Sequence, residues 1–196
     1  MRSSYHQLPR IVACSVIIFS AVINITDAAT KIVAYGDSGV YGKGVPRNEA
    51  YPAQLERMLR QKGYDVAVAN EGVNGRTSAD AVANLASVGK ADVVIVQFGV
   101  NDAKRGVPAA TIRQNINVVV GKLKERGAAV LVVGYPAVDL SGIASAHGVA
   151  YVLWGGLAGP QYHVPGDPQN HFNAAGLEVM AFRMVPAIEK LISSKR

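Results

Sequence analysis

The chain has 196 residues, 49% of them apolar, with one cysteine. That is enough for one domain with its own core, and it excludes both a charge-dominated disordered chain and a small disulfide-stapled scaffold. The net charge of +6 comes from lysines and arginines scattered along the chain. This is the pattern of a solvated surface and argues against nucleic acid as a partner, because no basic-aromatic patch accompanies it.

Residues 1–10 are polar and carry Arg2 and Arg10; residues 11–25 are almost all apolar; Thr26-Asp27-Ala28-Ala29 then supplies small residues. This is the layout of a secretory signal. The apolar run is shorter than the roughly 20 residues that span a bilayer. We therefore read residues 1–28 as a signal peptide removed after Ala28. Residues 29–196 form the mature domain, periplasmic or secreted and without stable membrane insertion. Ile11-Val12-Ala13-Cys14 looks like a lipobox, but the apolar stretch follows the cysteine instead of preceding it. Cleavage would leave a mature protein without cysteine, which excludes thiol chemistry and disulfides.

The mature part alternates apolar runs with amphipathic ones. Residues 31–35 read as a buried strand ended by Gly36, and 50–61 as a helix with Leu55, Met58 and Leu59 on one side. A strand at 65–69 follows, then a helix capped by Thr77 or Ser78 and running to Val88. Residues 92–98 hold Val93-Val94-Ile95-Val96, too continuous for a half-exposed strand. A helix over 111–126 puts Ile112, Ile116, Val119, Val120 and Leu123 on one side. Strands at 128–133 and 149–153 flank a short helix at 141–147. A Gly- and Pro-rich loop covers 154–173, and the last helix covers 174–192. This β-α order predicts an α/β fold: a three-layer α/β/α sandwich on a five-stranded parallel sheet, flavodoxin-like, with ligands at the carboxyl ends of the strands.

The loops at those ends hold Gly36-Asp37-Ser38-Gly39, Asn70-Glu71-Gly72-Val73-Asn74-Gly75-Arg76-Thr77-Ser78, and Gly99-Val100-Asn101-Asp102. The last loop holds Asp167-Pro168-Gln169-Asn170-His171-Phe172-Asn173. Each alone has an ordinary explanation: a turn, a positive-φ glycine, a helix cap, a surface histidine. All four sit at carboxyl ends of strands, or in the last loop, of one predicted sheet, which sets the combination apart from any one of them alone.

These motifs resemble the SGNH/GDSL hydrolases, in particular the small periplasmic acyl-CoA thioesterase/lysophospholipase and arylesterase branch. The resemblance covers residues 29–192 and is weak across 139–166. It implies Ser38 as nucleophile, His171 as general base, and an oxyanion hole of the Ser38 N–H, the Gly75 N–H and the Asn101 amide. Phe172 stands where the family often has proline. The family's carboxylate lies three residues before the histidine, where this chain has Pro168. Asp167 lies four before, so either Asp167 or a backbone carbonyl orients His171, and we favour Asp167. His163 is the one rival base nearby. Val40, Tyr41, Trp154 and Leu157 are candidates for an acyl groove.

No metal and no cofactor is expected: His-Glu-x-x-His, P-loop spacing and Gly-x-Gly-x-x-Gly after a strand are all lacking, as is the Gly-x-Ser-x-Gly elbow around Ser38. The expected substrate is a small acyl ester or thioester. The alternatives are a carbohydrate O-acetylesterase on the same fold and a non-catalytic binding module.

Overall fold

Five strands form one parallel sheet in the order β2-β1-β3-β4-β5 in the computed structural model, which describes residues 29–167 and 171–194. The segment read as a signal, residues 1–28, lies outside the described residues. In chain order the elements are β1 (Thr30–Gly36), α1 (Ser38–Tyr41), α2 (Tyr51–Gln61), β2 (Val66–Gly72), α3 (Ser78–Ala83), β3 (Val93–Gln97), α4 (Val100–Lys104), α5 (Ala109–Glu125), β4 (Ala129–Gly134), α6 (Ser141–His147), β5 (Ala150–Leu153) and α7 (Ala174–Ser193). Short 3-10 turns sit at Arg47–Glu49, Leu85–Ser87 and Pro160–Tyr162.

The strands bury both faces because residues alternate sides along them. Ile32 and Ala34, Val93 and Ile95, Leu131 and Val133 pack against α2 and α7, through Leu55, Leu59, Met180, Met184 and Ile188. Val33 and Tyr35, Val94 and Val96, Val130 and Val132 face the other way, onto Ile112, Ile116, Val119, Val120 and Leu123 of α5, with Ala81 of α3 and Ile143 of α6. Each fully buried Val, Leu or Ile contributes on the order of 1.5–3 kcal/mol. The result is the three-layer α/β/α sandwich expected, with α2 and α7 on one face and α3, α5 and α6 on the other.

Two elements differ from the sequence reading in instructive ways. The second strand continues to Gly72, through the polar Asn70 and Glu71, because Ala34, Tyr35 and Gly36 of β1 pair with them in parallel register. The third helix stops at Ala83 and gives way to the 3-10 turn at Leu85–Ser87, which leaves Leu85 and Val88 both buried against the core.

The chain passes from β1 outward to β2, then back across β1 to β3. The carboxyl ends of β1 and β3, where this reversal happens, are the place at which an open parallel sheet leaves a crevice.

Candidate active site

The crevice at the ends of β1 and β3 is where the motif residues meet. β1 ends at Gly36 and the chain turns at Asp37, which caps the four-residue α1; its carboxylate accepts the Gly39 N–H at 2.9 Å. Ser38 is therefore the first residue of that turn, 8% exposed, with its hydroxyl toward the crevice.

His171 comes from the other side, two residues before Asn173, the N-cap of α7. Asn173 accepts the Gly176 N–H at 3.1 Å and donates to the Gln161 and His163 carbonyls, so the cap also ties down the preceding loop. His171 Nε2 lies 2.9 Å from Ser38 Oγ, and His171 Nδ1 lies 2.5 Å from Asp167 Oδ2. With the Nδ1–H donating to the carboxylate, Nε2 is left as the acceptor of the serine proton. The side chain of Asp167 thus lies against the imidazole, one of the two arrangements open in the sequence. The His171 N–H also donates to the Asp167 carbonyl at 3.4 Å.

The oxyanion candidates occupy two further loops. Gly75 has φ +79°, a conformation that favours glycine, and its carbonyl accepts from Arg105 Nη2 at 3.0 Å. Asn101, on α4, donates one amide hydrogen to the Arg76 carbonyl at 2.8 Å, leaving its second for a ligand. The Asp102 carboxylate takes the Ser78 N–H at 2.9 Å and the Ser78 hydroxyl at 2.6 Å, and Asn115 donates to that hydroxyl at 2.9 Å. These bonds join residues 75–78 to residues 101–105, and Gly75 and Asn101 both line the same crevice as Ser38 and His171.

The crevice is a cavity of about 500 Å³, within the range of small-molecule sites. Its apolar wall comes from Val100, Tyr135, Pro136, Trp154, Phe172 and Leu177, with Lys43, Asn74 and Lys104 among its polar residues. Of the acyl-groove candidates only Trp154 lines it. Val40 is fully buried in the core, because residues 38–41 are helical and turn it inward. Tyr41 points to solvent under the Arg47 guanidinium, 4.5 Å from its ring, and Leu157 packs onto the core. His163 lines the cavity but its Nδ1–H donates to the Gly159 carbonyl at 2.8 Å, while Ser38 is bonded by His171.

Asp37 is a strongly perturbed carboxyl in the crevice. Burial pushes it up to about 7, against the Gly39 N–H and the Tyr135 hydroxyl, which favour its charged form. Sequence reasoning passed over Tyr135 entirely. Among the described residues no three His, Cys, Asp or Glu side chains group as metal ligands, and no helix is long and apolar enough to cross a membrane.

Fold and site together are those of an α/β protein with a hydrogen-bonded Ser–His–Asp line at the mouth of its sheet. The chain belongs to the GDSL-like lipase/acylhydrolase family, whose model matches residues 34–186. It is 29% identical over 120 residues to an arylesterase of Vibrio mimicus, covering 60% of each chain. It is 33% identical over 110 residues to esterase TesA of Pseudomonas aeruginosa, covering 55% of each. The match thus spans somewhat over half the length of these curated relatives. The crystal structure of TesA superposes with a TM-score of 0.74 at 25% identity, covering 83% of this chain and 99% of that one. An esterase EstA from a Pseudoalteromonas species, solved with monoethylphosphonate as inhibitor, shares the fold with a TM-score of 0.74 at 19% identity, covering 84% of this chain and 99% of that one.

Proposed function

We propose that this protein is a serine hydrolase that cleaves carboxylic esters or thioesters through an acyl-enzyme on Ser38. The observation that carries the reading is the unbroken line from Ser38 Oγ through the His171 imidazole to Asp167, at the mouth of a cavity with an apolar wall. The names of the arylesterase and esterase relatives support it.

In this reading His171 Nε2 takes the Ser38 proton as Oγ attacks the acyl carbon, and Asp167 stabilises the imidazolium that forms. Negative charge gathers on the former carbonyl oxygen. The Ser38 N–H, the Gly75 N–H and the uncommitted Asn101 amide hydrogen receive it, each donor contributing on the order of 3 kcal/mol. His171 then returns the proton to the leaving oxygen or sulfur, and a water repeats the sequence to release the acid. The acyl group packs against Trp154, Phe172 and Leu177.

A serine-directed phosphonate tests the reading. It labels Ser38 stoichiometrically and abolishes hydrolysis of p-nitrophenyl esters; label on Ser78 or Ser141, with activity kept in Ser38→Ala, refutes it. A profile over p-nitrophenyl acetate to palmitate, palmitoyl-CoA and an acetylated sugar separates the acyl ester and thioester reading from a carbohydrate O-acetylesterase. A phosphonate-inert protein that retains ligands in the cavity would be the binding module.

Export belongs to the same proposal. The charged, apolar and small-residue segments of residues 1–28 support removal after Ala28 and a periplasmic or secreted enzyme. N-terminal sequencing of exported protein finds Ala29 or a near neighbour; Met1 on cytoplasmic protein counts against it.

A further inference from the structure

Behind the nucleophile turn lies a buried polar chain that the hydrolytic mechanism leaves unused. Asp37 is fully buried. Besides the Gly39 N–H, its carboxylate faces the Tyr135 hydroxyl, 3.3 and 3.4 Å from its two oxygens. Tyr135 follows β4, and its hydroxyl accepts from Gln97 Nε2 of β3 at 2.8 Å. Gln97 is itself fully buried, and its Oε1 has no partner. An amide that leaves one polar atom unsatisfied in the core costs stability, and here its other end is committed to Tyr135. The packing above this chain is tight: a Cβ on Gly39 would lie 2.5 Å from Gln97 Nε2 and 3.4 Å from both Asp37 Oδ1 and the Tyr135 hydroxyl. The residue after the nucleophile rests directly on the network.

We propose that Tyr135, braced by Gln97, is a positioning residue for hydrolysis: it holds the Asp37 carboxylate that caps the nucleophile turn, and so fixes Ser38 against His171. The inference rests on Ser38 being the nucleophile. Ionised, Asp37 is a strong acceptor for the Gly39 N–H; a neutral carboxyl accepts more weakly, and the turn loosens. Tyr135 donates to the charged form and favours it. The other groups that act on Asp37 are Asp102 and Lys104, which oppose each other from α4. Tyr51 of α2 is buried close by, with a hydroxyl that has no partner, and feels the Asp37 charge. Neither the Asp102 carboxylate nor the Tyr51 hydroxyl supplies the donor that Tyr135 does.

The test is the pH dependence of kcat and KM for a p-nitrophenyl ester in Tyr135→Phe, Asp37→Asn and the double variant, with Ser38→Ala alongside. Tyr135→Phe lowers kcat several-fold near pH 7 with KM within about two-fold. Its acid limb moves up by roughly one pH unit, the effect of one lost hydrogen bond to a charge. Asp37→Asn keeps an acceptor for the Gly39 N–H but cannot ionise, so its acid limb involves one proton fewer. Adding Tyr135→Phe to Asp37→Asn then leaves the limb in place. A Tyr135→Phe profile that superimposes on the wild type, or is lowered equally at every pH, overturns the proposal. If Tyr135→Phe does not fold, an Asp37→Asn limb as steep as the wild type overturns it. Inactive Ser38→Ala combined with an unshifted Tyr135→Phe defeats this proposal alone, whereas active Ser38→Ala defeats the hydrolase reading as well.

Discussion

Replacing Asn101 by alanine removes one hydrogen bond of the resting protein and, in the proposed mechanism, a second made only during reaction. The first is the 2.8 Å bond to the Arg76 carbonyl. It exists in the resting protein, so its loss lowers stability by about 1 kcal/mol. The second is the bond that the remaining amide hydrogen would make to the oxyanion in the proposed mechanism, strongest when charge has developed. Its loss raises the barrier by about 3–4 kcal/mol, a fall of roughly 10²–10³-fold in kcat. KM should change little, because the ground-state carbonyl oxygen carries far less charge. Steady-state hydrolysis of p-nitrophenyl butyrate gives kcat and KM; urea unfolding gives the stability term separately. Asp102 still grips Ser78 in the variant, so the loop after β2 stays attached to α4 and the kinetic loss reports on the donor. A variant with normal kcat and raised KM would make Asn101 a substrate-binding residue and refute the assignment.

Asp167→Asn should lower kcat by roughly 10²–10⁴-fold, because asparagine can present its amide to Nδ1 and stabilise the wrong tautomer; near-normal turnover with p-nitrophenyl butyrate would reduce the site to a Ser38–His171 dyad. Leu131→Ala, at a fully buried position on the interior strand β4, should cost about 2–5 kcal/mol in urea unfolding, and a loss under 1 kcal/mol would contradict the packing described. For Asp37 the folded carboxyl stands at about 7 against 3.8 unfolded, so the folded state binds the extra proton between those values. The stability this supplies is fully present below pH 3.8 and is lost as pH rises through 7. The stability of wild type relative to Asp37→Asn should therefore fall from pH 5 to pH 8, and a difference that is flat or rises over that range would show the carboxyl is not raised.

The parts of this molecule that were legible in the sequence are those decided by local pattern. Val93-Val94-Ile95-Val96 can be little but a central strand, and Ile112, Ile116, Val119, Val120 and Leu123 little but one face of a helix. What sequence reading missed was decided by neighbours far along the chain. The polar end of β2 is held in the sheet by β1, a pairing that overrides the side chains of Asn70 and Glu71. The helix α4 has only five residues and begins at Gly99, with φ +119° and no capping side chain, so no local signal announces it. The catalytic candidates were legible because their motifs bring Ser38, Gly75, Asn101 and His171 to strand ends. The brace beneath them was not: Asp37 and Tyr135 are 98 residues apart, and a tyrosine after an apolar strand looks like any core aromatic. Which group meets the His171 imidazole was open for a different reason: the place of Asp167, one residue off the family spacing, does not fix where its side chain lies.

The hydrogen bonds between the loop after β2 and α4 divide the crevice into two mechanically unequal halves. The Asn101–Arg76, Arg105–Gly75 and Ser78–Asp102 bonds tie the segments that carry Gly75 and Asn101, the two proposed oxyanion donors, to one another. The opposite wall is built from the long connection between β5 and α7, tied through Asn173 to two carbonyls of its own loop. In the proposed mechanism, insertions or deletions on the stapled side would displace the oxyanion donors, whereas those in the connection would reshape part of the wall proposed to meet the acyl group, provided that Asp167 and His171 keep their spacing. Variation in substrate range has a natural place to accumulate in that connection, at Trp154 and Phe172, and directed evolution of acyl preference should find its tolerated changes there.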